Sequence, residues 1–239
     1  MTTTAVEQTE SVKGDGAPGA PAVPWTSRDV WLGAVAALVL VGIVWGVTYA
    51  FAVSASRARV WVALVPALCE VLSLAPVWWF AMHKNRARLR SLGFTAFPLR
   101  MLGAGAGMLL VFYVLYGLFA LLVRLAGWEA ALASPAGRLS TPWMAIGTLV
   151  VIAPVAEEVF FRGFVFAGLR ARYDWRWAAV ISAAGFAAVH LSLAFFAPAF
   201  LMGLALAYLY MRSGSILPGM IVHIVMNAAA VAAVYLPAY

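Results

Sequence analysis

Between Trp143 and Leu169 the chain is apolar for long enough to cross a bilayer, yet it carries Glu157, Glu158 and Arg162 inside that run. No other feature restricts the possible structures as strongly. A charged side chain at the centre of a membrane helix costs about 2.5–3.5 kcal/mol on insertion scales. Three such groups facing lipid would be hard to insert, so they must face protein or a wet cavity. An ionisable residue at membrane depth is a functional candidate by default.

Helical geometry separates the two acids. Glu158 and Arg162 are four residues apart, so they lie about 40° from each other on one face and can pair. Glu157 points about 100° away and has no such partner on its own helix. The pair is expected to neutralise and orient, leaving Glu157 free for chemistry. A buried packing network is the bland alternative.

Six further apolar runs accompany this one. The seven cover about 30–53, 60–82, 101–126, 143–169, 176–191, 195–211 and 216–236. A span needs roughly 20 residues, so the short fifth and sixth runs include a candidate for incomplete crossing. Hydrophobic residues make up 65% of the 239 positions and charged residues only 10%. A soluble domain is nearer half apolar and a quarter charged. The expectation is an all-α, polytopic membrane helical bundle of about seven transmembrane segments over residues 28–239. Residues 1–27, rich in Thr, Ala, Gly and Pro with no apolar core, read as a disordered tail without a cleavable signal.

The net charge of +7 does not point to nucleic acid, because Lys and Arg lie mostly between apolar runs. They fit anchoring at an anionic membrane surface. Placing the 83–100 loop in the cytoplasm puts Lys13, Arg28, Lys84, Arg86, Arg88, Arg90, Arg100, Arg170, Arg172, Arg176 and Arg212 inside. Arg57, Arg59, Arg124 and Arg138 then fall outside. That asymmetry predicts an integral protein of the cell membrane with a cytoplasmic N-terminus. Cys69 is the only cysteine, which excludes an intrachain disulfide and a cysteine-based metal site. Gly103-Ala-Gly105-Ala-Gly107 opens a membrane segment with no strand before it, so it is no nucleotide loop. Gly42, Gly46, Gly103 and Gly107 read instead as close helix-packing sites.

Two histidines lie in apolar runs after Glu157. Phe186 precedes His190 by four, and Asn227 follows His223 by four, so each couple shares a helix face. Measured from the ends taken as cytoplasmic, Glu157 lies about 18 Å deep, His190 about 21 Å, Asn227 about 17 Å and His223 about 10 Å. A single polar cavity formed by the fourth, fifth and seventh runs is therefore expected. A carboxylate and an imidazole beside one water can remove its proton for attack on a carbonyl. A second imidazole and an amide can donate to the developing oxyanion. The serine (GxSxG), zinc (HExxH) and paired-aspartate designs are absent from the sequence. Glu157, His190 and His223 could also act as three ligands of a zinc ion with an open position; zinc or no metal at all stays open. Buried Glu and His also build proton relays, so a proton or ion transporter competes, as does a non-catalytic adaptor.

Glu157-Glu158-x-x-x-Arg162-Gly163, Phe186-x-x-x-His190 and His223-x-x-x-Asn227 resemble, in order and spacing, the three motifs of the CPBP family. These are the CAAX proteases and bacteriocin-processing enzymes, also called the ABI or type II CAAX prenyl endopeptidase family. The resemblance covers about residues 142–230. It implies an α-helical intramembrane peptidase acting on a membrane-embedded or membrane-anchored peptide or protein. It further implies that Glu157 and His190 activate water, His223 and Asn227 form an oxyanion site, and Glu158 and Arg162 orient it. The family is often labelled metallopeptidase, and it also includes bacteriocin self-immunity proteins and partner-binding scaffolds.

Overall fold

The computed structural model describes residues 22–54, 59–128 and 141–236. The described residues form seven helices and no strand. Helix α1 is Ser27–Ser54; α2 is Arg59–Val77, continued by a wider π-wound stretch Trp78–Lys84; α3 is Arg100–Leu125. Helix α4 is Pro142–Leu169, α5 is Trp175–Ala188, α6 is Leu193–Ser213 and α7 is Leu217–Tyr235.

Local chemistry explains the helix starts. Thr26 caps α1 in a reciprocal box: Asp29 N donates to Thr26 Oγ1 (3.3 Å) and Thr26 N donates to Asp29 Oδ2 (3.0 Å). Thr141, Asp174 and Ser192 accept backbone N–H groups at the starts of α4, α5 and α6. At the C-terminal end of α6, Gly214 takes the left-handed conformation and donates back to the Tyr210 carbonyl.

Six helices are long and apolar enough to cross a membrane, and α5 is not among them. The expected count of about seven therefore becomes six. At 14 residues, α5 is about 21 Å long, short of a hydrocarbon core of about 30 Å. It ends in a turn at Val189 and His190, so the chain breaks its helical winding beside the second histidine.

Hydrogen bonds gather alternate helix ends at one face. Trp25 Nε1 donates to the Phe164 carbonyl (3.0 Å), joining the start of α1 to the last turns of α4. Lys84 at the end of α2 pairs with Asp29 of α1. Thr95 Oγ1 donates to the Gly214 carbonyl (2.8 Å), and Ile216 N donates to the Gly93 carbonyl (3.0 Å). This face carries Arg28, Lys84, Arg86, Arg88, Arg90, Arg100, Arg170, Arg172, Arg176 and Arg212. Lys13, Arg57 and Arg138 lie outside the described residues.

Helix α4 is the axis of the bundle. Over half of its most apolar window is buried (56%), against 6% for α3. Two stretches of α4, Ile146–Ile152 and Glu158–Phe166, are wound as π-helix. Such wide turns are rare and concentrate at functional sites. Their carbonyls take donors from neighbouring elements: Asn227 Nδ2 on Leu149 (2.7 Å), Ser182 Oγ on Phe161 (2.8 Å) and Trp25 on Phe164. The widened helix is thus stitched to α7, α5 and the chain before α1.

Two sequence expectations need correction. Residues 1–21 of the expected tail lie outside the described residues, but Trp25 is 1% exposed and packed against Gly168. The tail reading missed it because one tryptophan leaves no periodicity in a polar stretch. Among the described residues, a Cβ on Gly42, Gly46, Gly103 or Gly107 would meet nothing within 4 Å. The tight positions are others. A Cβ on Gly105 would sit 2.5 Å from Val222 Cγ2, and one on Gly203 would sit 2.8 Å from Ala183 Cβ. Small-residue spacing marks a candidate face, but only the neighbouring helix decides which glycine is touched.

Gly105 and Gly107 offer a paired test on one helix. Gly105→Ala is expected to lower stability by about 1–3 kcal/mol through overpacking. Gly107→Ala should be neutral or slightly stabilising, because alanine is the better helix former. Thermal unfolding of both variants in the same detergent checks this.

Candidate active site

Glu158 and Arg162 form the buried base of the site. Arg162 Nη1 lies 2.9 Å from Glu158 Oε1, and both side chains are about 1% exposed. Their spacing of four residues on α4 places them together, as the helix geometry predicts. The guanidinium has two more restraints from other helices. Its Nη2 donates to the Gly203 carbonyl of α6 at 3.3 Å, and its centre sits 4.5 Å from the Phe186 ring of α5. Gly203 makes this possible: without a side chain, α6 lies close against Ala183 of α5.

His223 of α7 bridges the two acids. Its Nδ1 lies 3.2 Å from Glu158 Oε1 and its Nε2 lies 3.5 Å from Glu157 Oε2. The imidazole is 2% exposed, whereas the Glu157 side chain retains 12%. Gly219, one turn before His223, leaves room for the second Glu158 oxygen; a Cβ there would sit 3.2 Å from Oε2. A carboxylate only accepts hydrogen bonds, so both contacts attract fully when both ring nitrogens carry hydrogen. The His223 ring and the Arg162 guanidinium thus share Glu158 Oε1 as a partner.

His190 belongs to the same space by a different route. Its Nδ1 donates to the Phe186 carbonyl at 2.8 Å. A carbonyl cannot donate, so Nδ1 carries the hydrogen and Nε2 of the neutral ring presents a lone pair. Phe186 holds the assembly together. Its ring centroid is 5.0 Å from that of His190, 5.7 Å from that of His223 and 5.4 Å from that of Phe161. Sequence spacing identified Phe186 only as a neighbour of His190. That the same ring also meets Arg162 and His223 comes from the packing of α4, α5 and α7.

Asn227 is tied to α4 through the Leu149 carbonyl, which leaves its second amide hydrogen and its Oδ1 available. The fixed groups, Glu158, Arg162 and His223, are buried, while Glu157, His190 and Asn227 are each partly exposed. The arrangement thus separates a rigid base from a reachable rim. Helices α4, α5 and α7 bring Arg162, His190 and His223 around the Phe186 ring, and α6 adds the Gly203 carbonyl.

The residues considered as zinc ligands are not gathered as a set. Among the described residues, no group of three or more His, Cys, Asp or Glu side chains is placed to hold a metal ion. Glu157 and His223 approach each other, but His190 forms no ion pair with Glu157 among the described residues. Glu70, a further acid of α2, is half-buried.

Substitutions should separate base from rim. Glu158→Gln strands a buried guanidinium and is expected to cost about 3–5 kcal/mol of stability. Glu157→Gln removes only the longer 3.5 Å contact and should cost far less. Arg162→Lys should not restore the wild type, since an ammonium cannot reproduce the fork to Glu158 and Gly203 or the stacking on Phe186. Unfolding midpoints of the three variants measure the contrast.

Residues 139–229 match the family model described as type II CAAX prenyl endopeptidase, Rce1-like. No curated protein and no solved structure matches the chain. The matched segment contains all six candidate residues, and the structure places them on helices that pack around one ring. The likeness to the Rce1-like type II CAAX prenyl endopeptidases thus rests on residues 139–229, which hold all three motifs.

Proposed function

We propose that this chain is an intramembrane endopeptidase that hydrolyses a peptide bond of a membrane-embedded or membrane-anchored protein, by a glutamate mechanism. The reading is carried by one observation: the partly exposed Glu157 carboxylate stands 3.5 Å from an imidazole whose other nitrogen is anchored on the buried Glu158–Arg162 pair. The family match supports it at the level of reaction class.

The roles follow from the hydrogen positions. Glu157 takes a proton from a water molecule. The His190 lone pair at Nε2 accepts from the same water and aims it. The peptide carbonyl sits on the His223 side, where the free amide hydrogen of Asn227 receives the oxyanion, joined by His223 Nε2–H once Glu157 turns from its 3.5 Å contact to the water. One such donor in a water-poor site is typically worth about 2.7–4 kcal/mol. Glu157 then returns its proton to the leaving amine. Glu158 and Arg162 do not touch substrate; they fix the orientation of His223, as the third member of a nucleophile–base–orienter chain does. The basic face lies in the cytoplasm in this reading, with the N-terminus inside.

Glu157→Gln and His190→Ala are each expected to reduce cleavage by about 10²–10⁴-fold, with folding and insertion intact. Substrate trapping in cells with Glu157→Gln, followed by mass spectrometry, supplies the peptide for that assay. Equal turnover by purified Glu157→Gln protein sinks the mechanism. Exhaustive chelation should leave activity unchanged, and elemental analysis should find no stoichiometric metal. Loss on chelation with recovery on adding zinc would transfer Glu157 and the histidines to a metal-ligand role.

A further inference from the structure

A groove opens at the basic face between the first turns of α1 and the turn that follows α4. It holds about 320 Å³. Arg28 and Arg172 stand in its lining with Tyr173, and Trp31, Leu32 and Val35 of α1 form an apolar wall. That wall belongs to a membrane-crossing helix, and its three side chains are 46–58% exposed. One groove therefore joins two chemistries, cationic where the helix begins and hydrocarbon-like along its length.

The two arginines are available for a ligand. Both are exposed, and among the described residues neither forms an ion pair with a carboxylate. The acids closest in sequence are engaged elsewhere. Asp29 is buried and turned towards Lys84, Asn85 and Thr26. Asp174 accepts the Arg176 backbone N–H at the start of α5. Arg170 and Arg176, at the same turn, add positive charge without an ion-pair partner among the described residues.

We propose that this groove binds an anionic phospholipid, its phosphate between Arg28 and Arg172 and one acyl chain along Trp31, Leu32 and Val35. The charge pattern selects the headgroup. A phosphate with no cation attached is drawn by both guanidiniums, whereas the trimethylammonium of a choline headgroup would be repelled by them. A basic side chain near an anionic surface gives about a five-fold preference each. The length of the apolar wall sets the ligand as a lipid: Trp31 and Val35 are one helical turn apart on the outer face of α1, in line with the chain direction of a bilayer.

Trp31 supplies the readout. The full chain is reconstituted in phosphatidylcholine nanodiscs with a minor fraction of brominated phosphatidylglycerol or brominated phosphatidylcholine. Quenching of Trp31 is taken as the difference between the wild type and Trp31→Phe. Brominated phosphatidylglycerol is expected to quench Trp31 more strongly, and the excess should fall by about five-fold or more in Arg28→Gln/Arg172→Gln. Arg124→Gln, which lies away from this face, should keep it. Equal quenching by the two lipids, or an excess that survives the double substitution, overturns the proposal. Complete relief by inorganic phosphate would overturn it too, by making the groove a site for a soluble anion. All of these positions are exposed and none belongs to the peptidase site, so loss of cleavage in Glu157→Gln protein leaves this test untouched.

Discussion

Glu158 and Arg162 set the terms for the rest of this protein. Two opposite charges with almost no solvent contact are costly unless nearly every hydrogen-bonding position is met. Helix α4 meets only one of these needs itself, through the contact between residues four apart. Three more contacts come from elsewhere, a carbonyl from α6, an aromatic face from α5 and an imidazole from α7, while Glu158 Oε2 and Arg162 Nε have no hydrogen-bond partner among the described residues. The pair therefore works as a clamp. It draws three helices onto α4 at one level, and each helix brings something the chemistry uses. Helix α5 brings His190, α7 brings His223 and Asn227, and α6 closes the back.

The glycines and wide turns of the bundle serve that clamp. Gly203 allows α6 to come close enough for its carbonyl to reach Arg162, and Gly219 leaves space for the Glu158 carboxylate. Gly163 faces the Leu92 carbonyl, which brings the loop after α2 against the same stretch of α4. Gly93 takes a φ of +91° and would place any Cβ 2.6 Å from the Tyr210 ring. That loop can lie flat over α6 only with glycine there. The π-wound turns of α4 turn carbonyls towards donors on its neighbours. A regular α-helix would have kept them for itself.

Part of the site's geometry was legible because helical period converts spacing into direction. The pairing of Glu158 with Arg162 and the separation of Glu157 from both follow from a rise and a turn angle. What spacing cannot carry is the rotation of one helix about its axis relative to another. Spacing puts His223 and Asn227 on one face of the seventh run but does not say what they meet. In the structure the two His223 nitrogens face the two acids, and one Asn227 hydrogen meets the Leu149 carbonyl. The glycine assignments failed for the same reason. Gly103, Gly105 and Gly107 differ in sequence only by register, and Val222 of another helix selects the middle one.

The sequence alone determined the class and chemical inventory of this protein. Apolar runs of bilayer length leave helices as the spans, and charges too costly to face lipid must collect inside. Three spaced motifs name the residues that do so. Tertiary structure decided which of those residues touch. It set His223 between two carboxylates, made Phe186 the common neighbour of both histidines and Arg162, and stopped α5 at the level of His190. The physical reason is that periodicity is a property of one helix. Contact depends on how two helices are turned and how closely they approach, and side chains distant in sequence decide both.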